Sequence, residues 1–165
     1  MSLNKITEKE VLESQEKWAS GVMAIGKKFK NKEDYSAFAE IFLNSIYGFR
    51  MGEVLFKPTL ASETQFRLTK KAALSYYVGG NPDFTEDIGF ALIDWKAIRF
   101  ENKRIRIVGD IAIAMGNYFF TKDNAETKVE YTFVYKKDDA RDLCIILHDS
   151  HLPYTAEIFP FIPTK

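Results

Sequence analysis

The sequence predicts an α+β domain in which N-terminal helices close one side of a cone-shaped, curved antiparallel sheet and leave a pocket inside it. Two observations favour this fold class. Apolar residues recur at helical spacing through the first half of the chain, and from Phe90 onward β-branched and aromatic residues form runs separated by turn signals. The 165 residues suit a single domain, 1–165, with 1–6 and 156–165 as peripheral tails.

Three helices are predicted before the sheet. The first covers "TEKEVLESQEKWASGVMAIGKKF", where Thr7 and Glu10 have the spacing of a capping box. The second follows "KNKED" and stops near Gly48. A short strand in "GEVLFKPTL" ends at Pro58, and Thr69 then caps a third helix over "TKKAALSYYVGG".

The second half of the chain predicts an antiparallel meander. Its runs are "ALIDWKAIRFE", "KRIRIVG", "IAIAMGNYFFT", "TKVEYTFVYK" and "DLCIILHDSH", and the turn signals between them are "ENK", "GD", "KDNAE" and "KDDARD". Both faces of "IAIAMGNYFF" carry apolar residues. We therefore expect the helices to cover one face of the sheet and a second subunit to cover the other, giving a homodimer or a larger homo-oligomer.

Composition narrows the classes of function. The 23 Lys and Arg balance 23 Asp and Glu, so no net charge attracts the protein to nucleic acid or to a membrane surface. A single cysteine, Cys144, excludes an internal disulfide and a multi-cysteine zinc cluster. The chain has no apolar run of membrane-spanning length, and its start, "MSLNKITEKE", is too charged for a signal peptide. We expect a soluble, cytoplasmic protein, although "MSL" could replace a removed leader.

The stretch "LHDSHLPY" contains both histidines of the chain. Because side chains alternate between the faces of a strand, His148 and Ser150 share one face, and Asp149 and His151 share the other. Asp149 could therefore orient His151 as a general base. The alternative is that these polar residues only mark the point where the strand leaves the core before Pro153. A metal site is disfavoured, because the alternation separates the two histidines.

Several segments together resemble a known family. "YFFT", "VEYTFVYKKDD" and "CIILHDSHLPY" are similar to the C-terminal sheet of nuclear-transport-factor-like cone proteins, and above all to the iota-class carbonic anhydrase group. That group is related to the association domain of calcium/calmodulin-dependent protein kinase II. "VLFKPTLAS", "FRLT" and "LSYYVGG" extend the resemblance, which runs from about Trp18 to Tyr154. It implies the cone fold, a homo-oligomer and hydration of carbon dioxide, in some members without a metal, so we expect no cofactor.

The resemblance also assigns candidate site residues. Thr59 and Tyr76 match positions that imply substrate binding. The last strand supplies the candidate catalytic residues His148, Asp149, Ser150 and His151. Of these, His148 and Ser150 match the motif of the group, whereas Asp149 and His151 replace its second His and its second Ser.

A further departure is Glu130, which stands where the group typically has arginine, and loss of that cation would weaken a bicarbonate site. Two functions stay open. The chain could be a small lyase that hydrates carbon dioxide or acts on a related small anion, with water activated by pocket hydroxyls and imidazole. It could instead be a non-catalytic module of the same fold that binds a small ligand and oligomerises.

Overall fold

The computed structural model describes residues 5–155. Within them, three α-helices precede most of the sheet: α1 (Glu8–Lys30), α2 (Tyr35–Ile46) and α3 (Lys70–Val78). The strands of the same residues are β1 (Leu55–Lys57), β2 (Ala97–Val108), β3 (Ile111–Lys122), β4 (Ala125–Lys137) and β5 (Leu143–His151). Short 3₁₀ helices lie at Phe49–Met51 and Phe90–Leu92. The predicted α+β fold class is confirmed.

The helices begin where their capping residues predict. At the start of α1 the Thr7 hydroxyl accepts a hydrogen bond from the Glu10 backbone N–H (3.3 Å), and the Glu10 carboxylate accepts one from the Thr7 N–H (2.8 Å). This is the predicted capping box. Thr69 caps α3 by accepting a hydrogen bond from the Ala72 N–H at 3.2 Å, and Gly79 follows the last residue of that helix.

The sheet of the described residues has the strand order β1-β5-β4-β3-β2. Strands β2 to β5 form the predicted antiparallel meander. The short β1 pairs with β5 in parallel, and Phe56 lies opposite His148. This parallel pairing brings the segment that follows β1 to the C-terminal end of β5, where the polar residues of the last strand lie.

The turn predicted at "ENK" is wrong. Ala97–Val108 is one continuous strand whose pairing with β3 shifts register between Asn102 and Arg104. Gly116 lies opposite this bulge, where an added Cβ would come 2.2 Å from the carbonyl oxygen of Glu101. A bulge adds a residue, bends the strand and increases its twist, so the polar triplet curves the sheet instead of ending the strand.

The two faces of the sheet differ in their surroundings. The inner face carries Ala112, Ala114 and Tyr118, which are buried in one core with Trp18 of α1. On the outer face Met115 is 55% exposed. The second subunit that we expected to cover this outer face stays a prediction.

Residues 1–4 and 156–165 of the predicted tails lie outside the described part of the chain. Ile6, which the prediction also placed in a tail, is fully buried in the core. Among the described helices, none combines the length and the apolar character needed to cross a membrane.

Candidate functional site

A small, partly open cavity lies between the helices and the inner face of the sheet. Its volume, counted as the space open to the centre of a water molecule, is about 10 Å³. This is about the space that one ordered water requires. Its walls are mainly aromatic, and its polar groups are hydroxyls, one imidazole and one indole N–H. The lining residues are Trp18, Phe56, Pro58, Thr59, Tyr76, Tyr77, Phe90, Tyr118, His148 and Ser150.

His148 is the central polar group of the cavity. Its side chain comes from the inner face of β5, packs against the ring of Phe56 (4.8 Å between centroids) and is 2% exposed. Burial lowers the pKa of His148 well below its usual 6.5, because the charged ring would lose its hydration. Its Nδ1 is hydrogen-bonded to the Tyr47 hydroxyl (2.8 Å) and its Nε2 to the Tyr118 hydroxyl (3.2 Å). A neutral imidazole therefore donates to one tyrosine and accepts from the other.

Hydroxyl groups continue this contact toward the end of β5. The Tyr118 hydroxyl is hydrogen-bonded to Ser150 Oγ, and Ser150 Oγ lies 2.5 Å from Thr59 Oγ1. Thr59 follows Pro58 just after β1 and is half-buried. The parallel pairing of β1 with β5 thus joins two residues that are 91 positions apart in the sequence.

On the other side of His148 the contacts lead deeper into the core. The Tyr47 and Tyr77 hydroxyls lie 2.7 Å apart, and the Trp18 indole N–H donates to both, at 3.0 and 3.1 Å. Burial raises the pKa of the Tyr47, Tyr77 and Tyr118 hydroxyls, so all three stay protonated. We call the resulting series the hydroxyl chain: Thr59, Ser150, Tyr118, His148, Tyr47 and Tyr77.

The hydroxyl chain carries no net charge near neutral pH. Each of its members can both donate and accept a hydrogen bond, so the donors can point in either direction along it. It can therefore present either a donor or an acceptor at Thr59, which is only half-buried. Such a site can hold a small polar molecule without a fixed cation.

Tyr76 forms part of the wall next to Thr59. Its hydroxyl is hydrogen-bonded to the backbone of Leu60, and its pKa is raised, above all by burial. Its ring stacks on Phe90 with 5.4 Å between centroids. Tyr76 thus lines the cavity and also contacts the segment that carries Thr59, and its role in substrate binding stays a prediction.

The last strand divides its polar residues between two faces, as its period predicts. His148 and Ser150 point into the cavity, whereas Asp149 and His151 lie on the outer face. There, His151 Nε2 lies 3.1 Å from Glu130 and its Nδ1 lies 3.6 Å from Asp149, and the His151 side chain is 48% exposed. The Asp149 and His151 pair considered as a general base does not line the cavity. Glu130 does not line it either. Its replacement of the group's arginine therefore takes no cation from the lining of this cavity.

Four polar groups of the site were not assigned a role from the sequence: Trp18, Tyr47, Tyr77 and Tyr118. Tyr118 belongs to the inner face of its strand, and its alternation with Ala114 and Ala112 is a signal that could have found it. Tyr47 lies just after α2, where no pattern distinguishes it from an ordinary core residue.

The described residues offer no evident metal site. Between residues 5 and 155, His, Cys, Asp and Glu side chains nowhere gather in a group of three or more that could hold a metal ion. The polar side-chain groups that line the cavity are hydroxyls, one imidazole and the indole N–H of Trp18, with no carboxylate and no thiol among them.

Similarity to solved structures identifies the fold class of this protein. An NTF2-like protein from Cytophaga hutchinsonii aligns over 90% of this chain and 100% of its own, with a TM-score of 0.58 and 14% identity. An NTF2-like superfamily protein from Salmonella enterica aligns over 93% of this chain with a TM-score of 0.57 and 8% identity. At these identities the likeness shows the fold alone, which is the nuclear-transport-factor-like cone.

The family follows from more specific matches. The family model described as metal-independent carbonic anhydrase matches residues 9–152. A metal-independent carbonic anhydrase from Nostoc sp. strain PCC 7120 is 44% identical over 153 residues, which cover 90% of this chain and 75% of that protein. The chain belongs to the metal-independent carbonic anhydrase family.

A solved structure agrees with this family. The crystal structure of the iota-carbonic anhydrase from a cyanobacterium, complexed with bicarbonate, aligns with a TM-score of 0.90 and 40% identity. The alignment covers 94% of this chain and 97% of that one. The resemblance inferred from the sequence is therefore confirmed.

Proposed function

We propose that this protein catalyses the reversible hydration of carbon dioxide to bicarbonate at the half-buried Thr59 side of the cavity around His148. One observation carries the proposal. The motif residues that this chain keeps, His148 and Ser150, line the cavity, whereas the replaced positions, Asp149 and His151, lie on the outer face. The departure from the family motif thus leaves the cavity intact. The relatives named as carbonic anhydrases, one of them complexed with bicarbonate, support the same reaction.

The reaction joins a water oxygen to the carbon of carbon dioxide. As that bond forms, the electron pair of one C=O bond moves to its oxygen, and the water loses a proton to give bicarbonate. The site must therefore accept a hydrogen bond from the water and donate one to the oxygen that gains charge. Because each hydroxyl of Thr59 and Ser150 can take either role, the end of the hydroxyl chain can do both.

His148 acts in this scheme through hydrogen bonds and stays neutral. Its pKa is held well below 6.5 by burial, so it is a poor store for the released proton near neutral pH. The imidazole instead orients Tyr118, which in turn orients Ser150. The released proton passes to solvent water on the half-buried side of the site, where Thr59 lies.

Neutral donors suit a product that must leave again. Bicarbonate would receive hydrogen bonds from hydroxyl groups and would meet no fixed cation among the lining residues. Hydrogen bonds that involve an ionised partner are stronger than those between neutral groups, so the anion can still be recognised. Without an ion pair from the lining residues, we expect the product to be released readily.

Stopped-flow carbon dioxide hydration on chelator-treated protein tests the proposal. We expect Thr59→Ala and Ser150→Ala each to lower kcat about 100-fold, which is the scale for removing one positioned donor. Asp149→Asn is the matched control on the outer face of the same strand, and we expect it to keep the wild-type rate. A wild-type protein that hydrates no carbon dioxide above the buffer rate would refute the proposal, and an equal loss in the control would refute the location of the site.

A further inference from the structure

A buried ionic cluster lies outside the cavity, and its members are Arg67, Glu86 and Asp87. The guanidinium of Arg67 donates to both carboxylate oxygens of Asp87, at 2.6 and 2.7 Å, and to Glu86 at 3.3 Å. The side chains of Arg67 and Asp87 are both 0% exposed. Charged groups are seldom buried so completely unless they are paired, and this pair is bidentate.

Glu86 uses its carboxylate to hold a loop. It accepts hydrogen bonds from three consecutive backbone N–H groups, those of Ser62 (2.8 Å), Glu63 (3.0 Å) and Thr64 (2.9 Å). These bonds lower the pKa of Glu86 to about 2, and the bond from the Ser62 N–H makes the largest contribution. The carboxylate therefore stays ionised, and the loop stays attached, at any pH at which the protein would be assayed.

Each chain segment that the cluster joins also carries a wall of the cavity. The loop held by Glu86 begins three residues after Thr59. Asp87 accepts a hydrogen bond from the Ser75 hydroxyl at 2.5 Å, and the next residue of that helix is the cavity residue Tyr76. Phe90, which stacks on Tyr76, follows Asp87 by three residues. The cluster thus connects three segments, and each of them supplies a lining residue of the same cavity: Thr59, Tyr76 or Phe90.

We propose that Glu86 is a positioning residue for this reaction, and this inference rests on the proposed function. By holding residues 62–64, Glu86 sets the place of Thr59, whose hydroxyl must lie within hydrogen-bonding distance of Ser150. A displacement of about 1 Å in a reacting group can cost about 100-fold in rate. Glu86 itself touches neither the cavity nor the hydroxyl chain, so its effect passes through the loop.

Glu86→Gln tests this role, with Glu63→Gln as its matched control. Glutamine keeps the shape of the side chain, but its NH₂ group would face backbone N–H donors and could not accept from them. The control removes an exposed carboxylate of the same loop that makes none of these bonds. We expect Glu86→Gln to lower kcat/KM at least tenfold, and Glu63→Gln to keep the wild-type value.

A double variant separates positioning from a general loss of stability. If Glu86 acts through Thr59, adding Glu86→Gln to Thr59→Ala should change kcat/KM less than twofold, because the group to be positioned is already absent. The melting temperature should fall in both backgrounds. Equal loss of kcat/KM in the two backgrounds, or an unchanged kcat/KM in the single variant, would overturn the inference.

Two measurements that need no turnover distinguish this inference from the proposed function. Hydrogen exchange of the amides at 62–64 should be faster in Glu86→Gln than in Glu63→Gln, and ¹³C-bicarbonate binding followed by NMR should be weaker. If the wild type hydrates no carbon dioxide, the proposed function fails, and bicarbonate affinity then decides the inference. Equal affinity in the two variants, or no bicarbonate binding by the wild type, would overturn it.

Discussion

Acid should destabilise this protein through His148 at pH values above the range in which its carboxyl groups with a lowered pKa lose most of their contribution. In the unfolded chain the imidazole titrates near 6.5, whereas in the folded protein burial holds its pKa well below that value. As the pH falls below 6.5, the unfolded state binds a proton at His148 that the folded state does not bind, so the free energy of unfolding decreases. The stabilisation is fully present above pH 6.5 and is lost below it.

The size of this effect follows from one proton. A difference of one bound proton changes the free energy of unfolding by about 1.4 kcal/mol per pH unit, so at most about 2 kcal/mol is lost between pH 6.5 and 5.0. Glu86, whose pKa is lowered from 4.5 to about 2, loses its contribution only as the pH falls through 4.5. The other carboxyls with a lowered pKa start from ordinary values of 3.8 or 4.5, so their contributions change little between pH 5.0 and 6.5, where the buried imidazole dominates.

Urea unfolding of the wild type and of His148→Gln at pH 7.5, 6.5, 5.8 and 5.0 measures this slope. We expect the variant to be less stable at pH 7.5, because the bonds of His148 to Tyr47 and Tyr118 are disturbed, and its stability to fall by up to about 2 kcal/mol less than that of the wild type between pH 6.5 and 5.0. His151→Gln is the control, and we expect it to keep most of the wild-type slope, because exposed ion pairs contribute little. Parallel slopes for the wild type and His148→Gln would refute the neutral, buried imidazole.

Two further predictions concern the hydroxyl chain and the curvature of the sheet. Tyr118→Phe leaves His148 Nε2 and Ser150 Oγ without this partner, so we expect a loss of about 1–3 kcal/mol in urea unfolding together with slower carbon dioxide hydration; unchanged stability would contradict the hydroxyl chain. Gly116→Ala brings a Cβ to 2.2 Å from the Glu101 carbonyl oxygen, so we expect a loss of about 1–3 kcal/mol, and full stability in thermal unfolding would show that the bulge relaxes.

Much of the fold could be predicted because local signals and tertiary structure agree. Thr7, Thr69 and Gly79 mark helix ends through bonds and backbone angles that a few neighbouring residues determine. The parallel pairing of β1 with β5 had no such signal, because a strand of three residues is too short for its side-chain pattern to indicate which strand it pairs with. The "ENK" triplet predicts a turn where the structure has a bulge, and the reason is related. Polar residues suit a turn and a bulge equally, and Gly116 on another strand decides between them.

By itself the sequence determined that His148 and Ser150 share a face and that Asp149 and His151 share the opposite one, because the period of a strand is two. Only the tertiary structure decided which of these faces looks into the cavity. A period gives the relation between neighbouring side chains, whereas the inward direction depends on what packs against each face. Here the packing of Trp18, Tyr47 and the other residues of the helical half around His148 makes that choice.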